Sequence, residues 1–180
     1  MDFCKNISTV KIILIGYMGS GKTTIGKRLS NYLEVKFLDL DDYIEEAEEM
    51  SIREIFKNRG EVYFRKKETE YLREVLDQNE DFVLSVGGGT PCFGINMQLI
   101  NDATPNSVYI KSDLNVLSDR LMKEKEKRPL IADIAPEEFQ EFIAKHLFER
   151  SFFYNQAHHT ISNQNKTVEE VVIEIQKVLV

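Results

Sequence analysis

The chain of 180 residues has only two cysteines, Cys4 and Cys92, far apart and without metal-ligand spacing. That excludes a disulfide framework and a thiolate metal cage, and reads as reduced thiols in a reducing compartment. Cys92 lies near a run of glycines but is expected to pack as a small hydrophobe. Histidine is as scarce: His146, His158 and His159 form no metal pattern, and the adjacent pair reads as strand-edge packing. No apolar run approaches the roughly 18 to 20 residues of a membrane helix, so no membrane contact is expected. Met1 to Thr9 contains an acid and lacks the apolar centre of a secretory signal. No targeting peptide and a cytoplasmic location are therefore expected. Internal repeats, low-complexity tracts and linkers are missing too. Basic charge is in deficit, 23 Lys and Arg against 30 Asp and Glu, for a net charge of −7. Non-specific nucleic-acid binding is thereby disfavoured, and an anionic substrate must be met by a local cluster of cations. With 42% hydrophobic and 29% charged residues, the chain can form one domain with a substantial core.

What is present is dominated by Gly16-Tyr17-Met18-Gly19-Ser20-Gly21-Lys22-Thr23-Thr24. It follows the apolar run Val10, Ile12, Ile13, Leu14, Ile15, a buried strand by composition, and precedes Ile25 to Leu29, which reads as a helix start. In that context the glycines let backbone N–H groups point inward at a helix N-terminus, a nest for phosphate. Lys22 can reach the β and γ phosphates, and the Thr23 hydroxyl is placed to ligate magnesium.

Further along, strands are expected at Val35–Leu38, ending at Asp39, and at Phe82–Val86, Ser107–Ile110 and His159–Ile161. Helices are expected over 21–33, 42–50, 51–58, 61–77, 94–101, 113–125, 136–154 and 168–179, with Ser51 and Glu54 as a capping box. Proline-bracketed 128–136 breaks the helical pattern. Strands alternating with helices imply an α/β fold of three layers around a five-stranded parallel sheet. Ligands then sit beyond the carboxyl ends of the strands. There the sequence offers Asp39-Leu40-Asp41-Asp42, where strand-like alternation would put Asp39 and Asp41 on one side, and Gly87-Gly88-Gly89, whose open N–H groups allow close approach of a ligand. One carboxylate suits magnesium held through water, the other a substrate hydroxyl and its proton. Alternatively a carboxylate, Asp42 foremost, caps the helix near Tyr43. Arg65 has a plain reading as well, a helix-surface partner of Glu61 or Glu68. Arg150, beside Glu149, reads equally as surface decoration, and Arg128 as the end of a solvated charged run from Lys123.

Together these segments resemble the shikimate kinases, a family within the P-loop kinases related to nucleoside monophosphate kinases. The resemblance runs from about Val10 to Val180. It rests on the phosphate loop, Asp39-Leu40-Asp41, Gly60-Glu61-Val62-Tyr63-Phe64-Arg65-Lys66-Lys67-Glu68, the triple glycine, Arg128-Pro129-Leu130, and Arg150, Tyr154 and Ala157 at the spacing Arg-x-x-x-Tyr-x-x-Ala. It implies one domain over 1–180 with a mobile lid near 123–136. The implied reaction moves the γ-phosphoryl of ATP to the 3-hydroxyl of shikimate, on the route to chorismate and the aromatic amino acids. By the same resemblance Asp41, Lys22 and Arg128 are catalytic, with Asp41 the base. Gly19, Ser20, Gly21, Lys22, Thr23, Thr24, Arg120 and Arg128 would meet the nucleotide, Arg120 against adenine. Asp41, Arg65, Gly87, Gly88, Gly89 and Arg150 would meet shikimate, with the two arginines on its carboxylate. Thr23 and Asp39 would serve Mg2+. A monomer without nucleic-acid or membrane partners is expected.

The chain departs from the family where Thr often precedes the triple glycine, with Val86, and where Leu-Leu often follows the lid proline, with Leu130-Ile131. Basic residues are thin at Gln164-Asn165-Lys166, so no adenine contact is assigned there. The rival readings are a gluconate-type small-molecule kinase and a nucleotide-binding regulatory module without turnover.

Overall fold

Why one strand is apolar from Ile12 to Ile15 is explained by its place in the sheet. In the computed structural model, which describes residues 9–125 and 130–180, strand β1 (Lys11–Ile15) lies at the centre of five. The order is β2 (Lys36–Asp39), β3 (Phe82–Ser85), β1, β4 (Ser107–Lys111), β5 (His159–Ser162), all parallel. A parallel sheet covered on both faces buries the central residues of its middle strands. Ile12, Ile13, Leu14 and Ile15 are accordingly inaccessible to solvent.

Alternate residues of the sheet feed two cores. Ile12, Leu14, Val83, Val108 and Ile110 pack against Ile25 and Leu29 of α1 (Lys22–Leu33) and Val171, Val172 and Ile175 of α7 (Val168–Val178). On the other face Ile13, Ile15, Phe82, Leu84 and Tyr109 join side chains from the remaining helices. These are α2 (Leu40–Glu48), α3 (Ile52–Leu76), α4 (Asn96–Ala103), α5 (Leu114–Lys123) and α6 (Pro136–Tyr154). The three layers anticipated from the alternation of elements follow from this period-two division.

Local chemistry accounts for the helix ends. Ser51 and Glu54 make the reciprocal capping box expected of them, and Thr167 with Glu170 makes a second. The two helices expected over 51–58 and 61–77 run on as α3, broken only at Gly60, whose φ of 80° and ψ of 170° interrupt the helical path. The helix expected over 94–101 starts later, at Asn96, after a single 3₁₀ turn at Thr90–Cys92. Cys92 packs against the core, and His159 lies on the edge strand β5, as read from the sequence. Among the described residues no helix is long and apolar enough to cross a membrane.

Register sets the working edge. Leu14 and Asp39 both pair with Ser85, so the phosphate loop after β1, the acidic end of β2 and the glycines after β3 leave the sheet at one level. The central strand is flanked by β3 and β4, which the chain reaches on opposite sides, and a crevice opens at such a reversal.

Candidate active site

At the start of α1 the cap is Gly21, in the left-handed region at φ 91°, and no side chain bonds the first-turn amides. Those amides and the helix dipole remain available to an anion. Lys22 is buried and donates to the carbonyls of Gly16 (2.8 Å) and Tyr17 (3.1 Å), folded back along the loop. The loop is braced from two distant elements: Arg120 of α5 donates to the Gly19 carbonyl at 3.1 Å, and Asn163, just past β5, donates to the Ser20 carbonyl at 2.8 Å. Thr23 Oγ1 donates to Asp39 Oδ2 at 3.1 Å, and both residues, with Thr24, line the cleft. A hydroxyl and a carboxylate at this spacing form an oxygen donor set suited to a hard divalent cation. Among the described residues no cluster of three His, Cys, Asp or Glu could hold a metal.

Asp39 and Asp41 do share the cleft, but not by strand alternation. The strand stops at Asp39, which caps α2 by accepting from the Asp41 amide at 3.1 Å, and Asp41 belongs to the helix's first turn. The alternative of a capping carboxylate is met by Asp39 rather than by Asp42, because its extended backbone turns the carboxylate onto the helix end. Burial, then the carboxylates of Asp39 and Glu68, push Asp41 up from 3.8 to about 6, with Lys22 pulling the other way. A carboxyl so placed is mostly ionised at neutral pH yet a stronger proton acceptor than an exposed one.

Guanidiniums from two helices, α3 and α6, approach the glycines after β3. Arg65 of α3 lies so close to Gly89 that a Cβ there would sit 2.8 Å from its Nη2. Arg150 of α6 lies 3.6 Å from the corresponding point on Gly88, and a Cβ on Gly87 would come within 3.0 Å of Asp41 Oδ1. Both arginines also bear on Cys92, whose thiol burial nevertheless pushes up to about 11. The Arg65 surface pairing with Glu61 exists at 3.5 Å, but its partner Glu68, 2.9 Å away, is buried. The cleft has a volume of about 460 Å³ and is lined by Gly19 to Thr24, Asp39, Asp41, Gly87, Gly88 and Arg120, whereas Arg65, Gly89 and Arg150 are not among its lining residues.

Reasoning from the sequence missed several neighbours. No contact was assigned to the C-terminal loop, yet Asn163, Lys166 and Thr167 line the cleft. Thr90 and Tyr17 were given no task; Thr90 donates to Glu68 and Tyr17 bonds His146. Only the Asn163 contact had a local signal, a polar residue directly after a strand. Arg128, expected over the ATP phosphates from the lid near 123–136, lies outside the described residues.

A phosphate loop on a parallel sheet, opening on a cleft lined by Asp39 and Asp41, with the guanidiniums of Arg65 and Arg150 near the adjoining glycines, defines a small-molecule kinase of the P-loop class. Comparison narrows the class. A family model described as shikimate kinase matches residues 18–180. A shikimate kinase of Flavobacterium johnsoniae is 48% identical over 169 residues, which are 94% of this chain and 98% of that protein. The crystal structure of shikimate kinase from Bacteroides thetaiotaomicron superposes with a TM-score of 0.86 at 38% identity, covering 94% of this chain and 97% of that one. Shikimate kinase from Acinetobacter baumannii, solved in complex with shikimate, has a TM-score of 0.82 at 31% identity, over 95% and 93% of the two chains. The chain belongs to the shikimate kinase family, ATP-dependent enzymes that phosphorylate a hydroxyl of shikimate.

Proposed function

We propose that this chain transfers the γ-phosphoryl group of ATP to the 3-hydroxyl of shikimate, forming shikimate 3-phosphate and ADP for aromatic amino-acid synthesis. The observation that carries the reading is the approach of Arg65 and Arg150 to neighbouring glycines beside the phosphate loop, in a chain of net charge −7. Paired planar guanidiniums suit a carboxylate. Gluconate is also a hydroxy acid, but the set Asp39, Asp41, Arg65 and Arg150 favours shikimate, and its completeness favours turnover over a regulatory module.

The residues divide the work. Amides of Gly19, Ser20, Gly21 and Thr24 seat the phosphates, Lys22 turns from the loop carbonyls to the transferring group, and Arg120 lies against the base. Arg65 and Arg150 hold the shikimate carboxylate while Gly87, Gly88 and Gly89 border its ring. Asp41 orients the 3-hydroxyl, whose oxygen bonds to the γ-phosphorus as the β–γ bridging bond breaks. The hydroxyl proton passes to the Asp41 carboxylate and the bridging electrons leave with ADP. Mg2+, which Thr23 and Asp39 would hold, neutralises phosphate charge when bound. A single domain over 1–180 with a lid near 123–136 bearing Arg128, a monomeric state and a cytoplasmic location belong to the same proposal.

Coupled ADP release tests it, with shikimate, gluconate and nucleoside monophosphates compared side by side and metal supplied or chelated. Shikimate alone should accelerate ATP consumption, and only with divalent metal. If shikimate fails to do so the proposal is lost.

A further inference from the structure

Tyr17 belongs to the phosphate loop by sequence and to the acceptor side by contact. Its carbonyl accepts from Lys22 Nζ and from the Ser20 amide, both at 3.1 Å, so its backbone is part of the nucleotide-binding half. Its side chain runs the other way. The ring is buried, and the hydroxyl shares a 2.7 Å hydrogen bond with His146 Nδ1 of α6, the two rings meeting edge to face at 5.6 Å. Arg150, one helical turn beyond His146, holds its guanidinium carbon 5.9 Å from the centre of the Tyr17 ring. Phosphate binding asks nothing of a side chain here, since a loop of this type works through its backbone. A large buried aromatic at this position therefore needs another reason.

The surroundings supply one. An aromatic face attracts a guanidinium, most strongly where water is excluded. The His146 imidazole is pushed down to about 4 by burial and by the charge of Arg150, so it is neutral and does not compete with that charge. On its far side His146 meets the Phe142 ring at 5.4 Å, which holds the imidazole in place. Tyr154, another turn along α6, donates to the Gly88 carbonyl at 2.6 Å and keeps the helix against the glycines. The Tyr17 ring is thus fixed at one end by the loop and at the other by α6.

We propose that Tyr17 is a positioning residue that couples the two halves of the site, its ring serving as the platform for Arg150 and its hydroxyl tying the loop to α6. Seating phosphates on the loop then steadies the platform and sharpens the aim of Arg150. Coupling of this kind is reciprocal: nucleotide tightens shikimate and shikimate tightens nucleotide by the same factor. The inference rests on the proposed role of Arg150 as a holder of the shikimate carboxylate.

The test uses the full chain, with shikimate affinity measured by calorimetry with and without MgADP, and with KM and kcat measured for both substrates. Wild type should bind shikimate about fivefold or more tightly with MgADP present, within the usual range of coupling between sites. Tyr17→Leu should raise the shikimate KM about three- to fivefold, as expected for loss of a partly exposed cation–π contact, and abolish most of the MgADP gain. Its affinity for ATP in the absence of shikimate should stay within about twofold of wild type, because the loop backbone that holds the phosphates is kept. Tyr17→Phe keeps the platform and should preserve the shikimate KM while losing part of the gain. A role in stability alone would lower the melting temperature without this split. Tyr17→Leu with wild-type shikimate KM and gain, or a wild type without any gain, overturns the coupling while shikimate turnover leaves the enzyme assignment intact. Should Tyr17→Leu not fold, Tyr17→Phe decides, and an unchanged gain overturns the idea. A wild type that binds no shikimate removes both readings.

Discussion

Glu68 and Arg65 form an ion pair one turn apart on α3, with Glu68 Oε2 2.9 Å from Arg65 Nη1 and only 1% of the Glu68 side chain exposed. The other carboxylate oxygen accepts from Thr90 Oγ1 at 2.6 Å, joining the helix to the turn after the triple glycine. An exposed pair at this spacing is worth only tenths of a kcal/mol. Buried and bonded on both oxygens, this one instead sets the angle of the guanidinium that reaches Gly89.

Glu68→Ala should therefore act on both stability and substrate affinity. Removing one partner of a buried pair leaves the other uncompensated, a loss on the order of 3 kcal/mol. We expect denaturant unfolding to move accordingly and the shikimate KM to rise about tenfold, equivalent to 1.4 kcal/mol of binding, with the ATP KM little changed. Equal rises in both constants would mean that Glu68 supports the whole cleft rather than Arg65.

Gly89→Ala tests the same guanidinium from its other side. The added methyl would sit 2.8 Å from Arg65 Nη2, inside contact distance, and the side-chain end is what yields. Because Gly89 has an ordinary φ of −90°, no backbone strain accompanies the change. The shikimate KM should rise roughly tenfold while the melting temperature stays within a few degrees, the shift expected for about 1 kcal/mol in a chain of this size. An unchanged shikimate KM would remove Arg65 from the carboxylate role.

The Asp41 carboxyl, pushed up to about 6, predicts a pH profile. A base must be ionised to accept a proton, so kcat/KM with both substrates limiting should fall about tenfold per pH unit below roughly pH 6. Glu68 is one of the carboxylates that raise Asp41, so Glu68→Gln should move the midpoint downward. Asp41→Asn should retain ATP binding and lose turnover by about 10²- to 10⁴-fold. A profile flat from pH 5 to 7, or near-normal turnover in Asp41→Asn, would take the base role from Asp41.

The same shift bears on stability. Between about 3.8 and about 6 the folded protein binds a proton at Asp41 that the unfolded chain has released. This contribution to stability is therefore present at low pH and is lost as pH rises through about 6. At pH 7 and above, Asp41→Asn should raise unfolding stability by on the order of 1–3 kcal/mol, and below about pH 4 by little. Calorimetry at the two pH values checks the sign. An inactive but more stable variant would mark Asp41 as a residue kept for chemistry at a cost in stability.

Much of the fold was legible because its signals are short-range. A strand buried on both faces must be apolar throughout, so Ile12–Ile15 stands out in one dimension. The box of Ser51 and Glu54 lies within one turn, and the break at Gly60 within one residue. The functional loop was legible for the same reason, its glycines, lysine and threonine lying side by side in the chain. Asp39 and Asp41 were named correctly as neighbours and the strand was read correctly as ending at Asp39, but that Asp41 sits in a helical turn rather than on the strand's alternation depends on the cap that Asp39 makes.

What the sequence determined by itself was an α/β kinase-like chain and an inventory of polar residues at the ends of its strands. Only the tertiary structure decided which distant members of that inventory meet. Tyr17 meets His146, Asn163 meets Ser20, and Thr90 meets Glu68 because the strand order β2, β3, β1, β4, β5 brings their elements to one edge. Periodicity and capping act over a few residues, whereas these contacts depend on how the whole sheet and its helices pack, which no local pattern encodes.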